Sequence, residues 1–175
     1  MQLCLWRESE LPQTLFDAAP LCLRGNDEVL FASDIQASPS RFCELLTIFG
    51  TRGMFIYYPG LDLCEDHQNS GGAAIVDYLL GDGFSESVYL ICEKYLVYSN
   101  TRDGLAVVVL QDPAEGCVKT DEWDEAFADH LAREGIGFGE EGREYARSLI
   151  ISFALALPER RQRFQKLIES VGSTG

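Results

Sequence analysis

Alternation and clustering of apolar residues predict strands mainly in the first two-thirds of the chain. Residues 1–6 are a candidate edge strand. Six further segments, rich in β-branched residues, tyrosine and leucine, are candidate strands: 21–24, 28–33, 53–58, 87–92, 95–99 and 105–110. The loop NTRDG between the last two ends in glycine and is typical of a hairpin. The middle of the chain is therefore predicted to form consecutive antiparallel strands.

Apolar residues at three- and four-residue spacing predict helices, which are concentrated toward the C-terminus. A short helix is predicted after Ser9, and further ones over 39–49, about 73–80, 121–134, 140–157 and from Pro158 to Gly172. Ser38 and Asp121 are candidate N-caps, and Gly50 is placed to end the second helix. The helix 140–157 is apolar almost all round, which is typical of a core helix or of one half-covered by a partner.

This order of elements predicts the fold class. Strands come first and helices follow, which favours an α+β protein over a doubly wound α/β fold. We expect a central, mostly antiparallel sheet with helices packed on it and a helix-rich C-terminal third. The 175 residues contain no repeat and no linker-like stretch, so one globular domain over 1–175 is predicted.

The chain is strongly acidic, and the predicted fold does not require this acidity. The chain has 28 acidic and 14 basic residues and a net charge of −14. Residues 62–141 contain 18 of the acidic residues and only Lys94, Arg102, Lys119 and Arg133 as basic ones. Such a charge repels nucleic acids and anionic membranes and attracts cationic partners, although acidity can also serve solubility alone.

Two groups of carboxylates are the candidate partner-binding residues: Asp62, Glu65 and Asp66, and Asp121, Glu122, Glu125 and Asp129. The first group lies in a predicted loop before the helix at 73–80. The second group lies on the predicted helix 121–134, opposite an apolar stripe formed by Trp123, Phe127 and Leu131. We expect the carboxylates of this middle segment to form an outward-facing anionic surface, unless the C-terminal arginines neutralise them.

Catalytic and metal-binding signals are weak in this sequence. Cys64 and His67 have a C-x-x-H spacing, but a structural zinc site needs four ligands, and the one other histidine, His130, is on a different element. No CxxC, GxSxG, HExxH, P-loop or EF-hand pattern is present. We therefore predict no cofactor, no metal and no catalytic residue, and interpret the six cysteines as reduced.

These observations favour a non-catalytic, acidic, cytoplasmic protein that neutralises or chaperones a basic protein. An immunity protein, which inhibits a bacterial toxin or effector, is the expected type. The beginning of the sequence, MQLCLWRESE, lacks the features of a signal peptide, and no stretch is apolar for long enough to span a bilayer. Two alternatives remain: an enzyme with a site around Cys64, His67 and His130, or an adaptor subunit of a larger assembly.

Overall fold

The computed structural model describes residues 23–61, 63–81, 87–133 and 140–172. Within them, six strands form one sheet. The strands are β1 (Glu28–Ser33), β2 (Phe55–Tyr58), β3 (Leu63–Asp66), β4 (Ser87–Ile91), β5 (Tyr95–Asn100) and β6 (Leu105–Leu110). Their order is β1-β6-β5-β4-β2-β3, and every neighbouring pair is antiparallel.

Five α-helices within the described ranges accompany this sheet. They are α1 (Pro39–Phe49), α2 (Gly72–Gly81), α3 (Thr120–Arg133), α4 (Glu140–Ala156) and α5 (Arg161–Gly172). Two single 3₁₀ turns, Pro59–Leu61 and Pro158–Arg160, lie before β3 and α5. The predicted α+β class, with an antiparallel sheet and a helical C-terminal region, is therefore confirmed.

Helices cover both faces of the sheet. Alternate side chains of β1 point to opposite sides, so that Val29 and Phe31 belong to one core and Leu30 and Ala32 to the other. The first core is completed by α3, α4 and α5, and the second by α1 and α2. The strand β6 is buried at every position, which explains why its sequence LAVVVL is continuously apolar instead of alternating.

The helix α3 lies alongside β1, the outermost strand at one edge of the sheet, and contributes to both cores. Trp123 packs into the core below α1 and α2, whereas Phe127 and Leu131 pack into the core below α4 and α5. The helix thereby covers the polar backbone edge of β1, which would otherwise be open to pairing with another strand. The opposite edge of the described sheet is β3.

Several local predictions from the sequence are wrong. Residues 23 and 24 are not a strand, because Arg24 and Asp27 form a turn in which the Arg24 amide donates to Asp27 Oδ2 at 2.9 Å. The segment 63–66, predicted as a loop, is the strand β3. Three of its four residues are exposed, so the strand does not need alternating apolar residues, and its sequence shows no such pattern. The predictions over 1–22 lie outside the described residues.

Two predicted helix caps also differ. The Ser38 side chain makes no cap hydrogen bond, and its hydroxyl lies 2.6 Å from that of Ser33 instead. The helix α3 begins at Thr120, so Asp121 lies in its first turn instead of at the cap. Gly50 does end α1, with φ of 73° and a hydrogen bond from its N–H to the Leu46 carbonyl.

One face of α4 is exposed, although its sequence is apolar on nearly every side. Leu149, Ile150 and Phe153 are buried, but Ile151 is 40% and Leu155 80% exposed. Core packing therefore accounts for one face of the helix only. Within the described part of the chain, no helix combines the length and apolarity needed to cross a membrane.

Close packing of α1 against α2 depends on Gly72. A Cβ atom there would lie 2.8 Å from Leu46 Cβ and 3.3 Å from the Leu46 carbonyl carbon. Because neither atom can move without shifting α1, we expect Gly72→Ala to lower the free energy of unfolding by about 1–3 kcal/mol. Chemical denaturation measures this loss. Gly71→Ala is the control, because nothing lies within 4 Å of its added Cβ, and equal stability of the two variants would contradict the packing argument.

Candidate protein interface

The exposed face of α3 carries four of the predicted carboxylates. Asp121, Glu122, Glu125 and Asp129 are all exposed. At about 100° per residue, they lie within an arc of about 100° around the helix axis. Asp121 and Glu122 belong to the first turn, where negative charge interacts favourably with the helix dipole. We call this surface, formed by these four residues, the α3 acidic face.

The opposite side of α3 is fixed by aromatic packing. The Trp123 ring packs edge-on against Phe42 of α1 at a centroid distance of 6.1 Å, and only 8% of Trp123 is exposed. The Arg41 guanidinium lies 5.0 Å from the Trp123 ring centre, within the range of a cation–π contact. Phe127 and Leu131, one and two turns further on, are buried. The α3 acidic face is therefore presented by a helix whose opposite side is held by buried side chains.

An ion-pair network attaches α3 to α5 and to β1. The Arg163 guanidinium donates two hydrogen bonds to the Asp124 carboxylate, at 2.7 and 3.0 Å. It also bonds Glu28 and the Val29 carbonyl of β1. Burial alone would lower the pKa of Arg163, but the carboxylates of Asp124 and Glu28 outweigh it and raise that pKa. Arg163 of the terminal helix thus pairs with Asp124 and Glu28. Neutralisation by the C-terminal arginines, which the sequence leaves open, therefore does occur at Asp124.

Two of the four carboxylates of the α3 acidic face have no ion pair in the described part of the chain. Lys119 pairs with Glu122 at 2.7 Å, but both side chains are more than half exposed, and such surface pairs contribute little. Asp121 and Glu125 form no ion pair with any residue in the described ranges. Neutralisation by α5 therefore stops at Asp124 and does not extend to these two carboxylates.

The other predicted group lies elsewhere. Glu65 and Asp66 are on β3, the strand at the opposite edge of the described sheet from β1 and α3. Five strand spacings of about 4.8 Å separate the two edges, on the order of 24 Å. Asp62 lies outside the described residues. The expectation of one continuous anionic surface is therefore wrong, because the sheet order separates the two groups.

The residues of the alternative enzyme site also do not meet. Tyr78 of α2 donates a hydrogen bond to Glu65 Oε2 at 2.5 Å, and His67 Nε2 lies 3.4 Å from the same oxygen. His130 lies on α3, at the other edge of the sheet. Cys64 neighbours Glu65 in β3, so their side chains point to opposite faces. No group of three potential metal ligands occurs among the described residues.

A row of tyrosines, which we did not predict, crosses the sheet below α4. The rings of Tyr57, Tyr89 and Tyr98 follow one another at 6.1 and 4.9 Å on neighbouring strands. The Tyr98 hydroxyl lies 3.4 Å from that of Tyr145 and accepts a hydrogen bond from Asn100. Burial raises the pKa of Tyr89 and of Tyr145, which keeps both phenols protonated and suits a structural role. Alternation along each strand predicts which tyrosines share a face with their strand neighbours. The strand pairing that aligns the rings is not visible in the sequence.

A groove runs between α3 and α5, next to the α3 acidic face. It encloses about 750 Å³ and is bounded along α3 by residues 120–128 and along the C-terminal segment by residues 159–170. Asp121 and Glu125 line the first wall, and Glu159, Arg160 and Lys166 the second. Ala128 and Leu167 contribute apolar surface. The first wall of this groove is therefore acidic, whereas the second carries charges of both signs.

The geometry thus provides one helix with a packed inner side and an exposed acidic outer side. Charge on such a surface can steer an oppositely charged protein into contact. No family model, curated protein or solved structure matches this chain.

Proposed function

We propose that this chain is a non-catalytic binding protein that neutralises or chaperones a basic protein partner, and that the α3 acidic face is its contact surface. The observation that carries the proposal is the exposure of Asp121, Glu122 and Glu125 on a helix that is fixed on its other side. A rigid surface loses little conformational entropy on binding, which favours affinity. The net charge of −14 adds long-range attraction for a cationic protein.

The type of protein that we infer is an immunity protein acting in the cytoplasm against a toxin or effector. Its partner would approach by electrostatic steering, which raises association rates by about 10- to 1,000-fold. Blocking a basic surface on the partner would then suffice for inhibition, without any chemistry by this chain. The separation of His67 from His130 by the width of the sheet gives the alternative enzyme site no geometric support.

Affinity capture with charge-neutralising variants tests the proposal. The full chain is immobilised and exposed to a lysate of its source organism at low salt. We expect wild-type protein to capture a basic protein, and the triple variant D121N/E122Q/E125Q to lose it. With the purified partner, the association rate should fall about tenfold when salt is raised well above 0.15 M, because salt screens the attraction.

A matched control separates local charge from total charge. E44Q/D77N/E144Q removes the same number of charges from exposed positions on α1, α2 and α4, and should capture the partner as the wild type does. Co-expression of the partner with this chain should relieve its toxicity, and the α3 triple variant should not. Equal capture by both triple variants, or an acidic partner, would contradict the proposal.

A further inference from the structure

We propose that the exposed apolar side of α4 is a contact surface for a second copy of this chain, which packs its own α4 against it in antiparallel orientation. The surface consists of Ser148, Ile151, Ser152 and Leu155, and we call it the α4 apolar patch. It lies on a different helix from the α3 acidic face. The inference therefore goes beyond the proposed function and does not depend on it.

The α4 apolar patch is the uncharged end of a helix that begins with acidic residues. Residues 148–157 carry no charge. Within them, Leu155 is 80% and Ile151 40% exposed, and the two lie one turn apart on the same side of the helix. Core packing does not account for them, because the buried Phe153 points to the opposite side of α4.

The polar groups within the patch are already satisfied by the helix itself. The Ser148 hydroxyl donates to the Tyr145 carbonyl at 2.8 Å, and the Ser152 hydroxyl donates to the Ser148 carbonyl at 3.0 Å. Covering the patch therefore leaves neither hydroxyl proton without an acceptor, which is the usual cost of burying a polar group. The patch can be removed from water at little polar cost.

The absence of charge bears on the identity of the occupant. A basic protein is attracted to carboxylates, and the patch contains none. A second copy of this chain carries the same net charge of −14 and is repelled by the carboxylates of the first. Close approach of two such copies therefore requires an uncharged surface. The α4 apolar patch meets this requirement.

Antiparallel orientation makes the patch complementary to itself. A two-fold axis midway between Ile151 and Leu155 places each of these residues against the other one in the second copy, which is the reciprocal contact of an isologous interface. Glu144, nearest to the patch among the acidic residues of α4, then lies about 27 Å along the helices from its counterpart. That separation exceeds three Debye lengths of about 8 Å each at physiological salt. Parallel pairing would instead bring the two carboxylates together.

The side of Ile151 offers room for Leu155 of the second copy. Ile151 lines a hollow of about 500 Å³ together with Glu141, Glu144, Tyr145, Arg147 and Ser148. In the antiparallel arrangement, Leu155 of the second copy lies at the level of Ile151 and enters the uncharged end of this hollow. The contact covers only two to three turns, less than the roughly 1,200 Å² of stable complexes, so we expect a weak dimer with a Kd of about 0.1 mM.

Sedimentation velocity of the purified full chain tests the inference over about 0.01 to 1 mM, tenfold to either side of the expected Kd. The wild type should convert from monomer to dimer across this range. Leu155→Gln should weaken the dimer about 100-fold, because two buried leucines are lost per dimer, and should stay monomeric throughout. Ile48→Gln is the matched control: it makes the same kind of change at a 58% exposed position on α1 and should dimerise as the wild type does.

Added salt should strengthen the dimer, since it screens the repulsion between two like-charged copies. A wild-type chain that is monomeric at about 1 mM would overturn the inference. Equal dimerisation of wild type and Leu155→Gln, loss of the dimer in Ile48→Gln, or a dimer that weakens with salt would overturn it as well. The measurement uses this chain alone, and capture of a basic partner responds to salt in the opposite direction, so its failure is distinguishable from failure of the proposed function.

Discussion

Replacing Phe31 by alanine is expected to cause the largest loss of stability from the core. Phe31 of β1 is fully buried, and its ring lies 5.8 to 6.2 Å from those of Phe127, Phe153 and Phe164. Each of those three rings belongs to a different C-terminal helix. Removing the central ring leaves a cavity and breaks three aromatic contacts, so we expect a loss of about 3–5 kcal/mol in unfolding free energy.

Denaturant unfolding followed by circular dichroism measures this loss. Phe31→Leu is the matched control, because it keeps most of the side-chain volume and loses only the aromatic contacts. We expect it to lose on the order of 1 kcal/mol. A loss below about 1 kcal/mol for Phe31→Ala would show that the three helices do not depend on this ring.

Arg163→Met is expected to cause a comparable loss for an electrostatic reason. The side chains of Arg163, Glu28 and Asp124 are each only 15–16% exposed. Methionine preserves much of the packing but leaves the partly buried Asp124 carboxylate without its cation, and Glu28 keeps only its pair with Arg160. Removing one partner of a buried ion pair typically costs about 3–5 kcal/mol, more than the intact pair contributes.

A second substitution identifies the cause. Asp124→Asn removes the negative charge that Arg163→Met leaves without the Arg163 cation. Asp124→Asn added to Arg163→Met should recover part of the stability, and Arg161→Met, at an exposed position, should stay within about 0.5 kcal/mol of wild type. No recovery of stability in the double variant would point to packing alone.

The local pattern of apolar and polar residues is sufficient to predict most of the secondary structure. The hairpin strands β4, β5 and β6 and the helices α1, α3 and α4 begin and end within one or two residues of their predicted positions. Long apolar runs bounded by glycine or proline are strong local signals. The strand β3 was missed because it has four residues, two of them acidic, and three of them are exposed. A short edge strand buries too few side chains to produce an alternating pattern of apolar and polar residues.

The candidate interface was only partly accessible from sequence. Helical spacing alone placed Asp121, Glu122, Glu125 and Asp129 on one face, since that face depends only on the helix period. Spacing could not show that Asp124, in the same helix, is neutralised by Arg163, which is 39 residues away. Nor could it show that Glu65 and Asp66 lie on a different surface, because this depends on the order of strands.

The sequence by itself determined the elements, the α+β class and the excess of negative charge. These follow from local periodicity and composition, which act within a few residues. Tertiary structure decided which carboxylates share a surface, which are paired and which groove lies beside them. Such relations join residues that are distant in the chain, and they arise only when the strands take their order and α5 packs against α3.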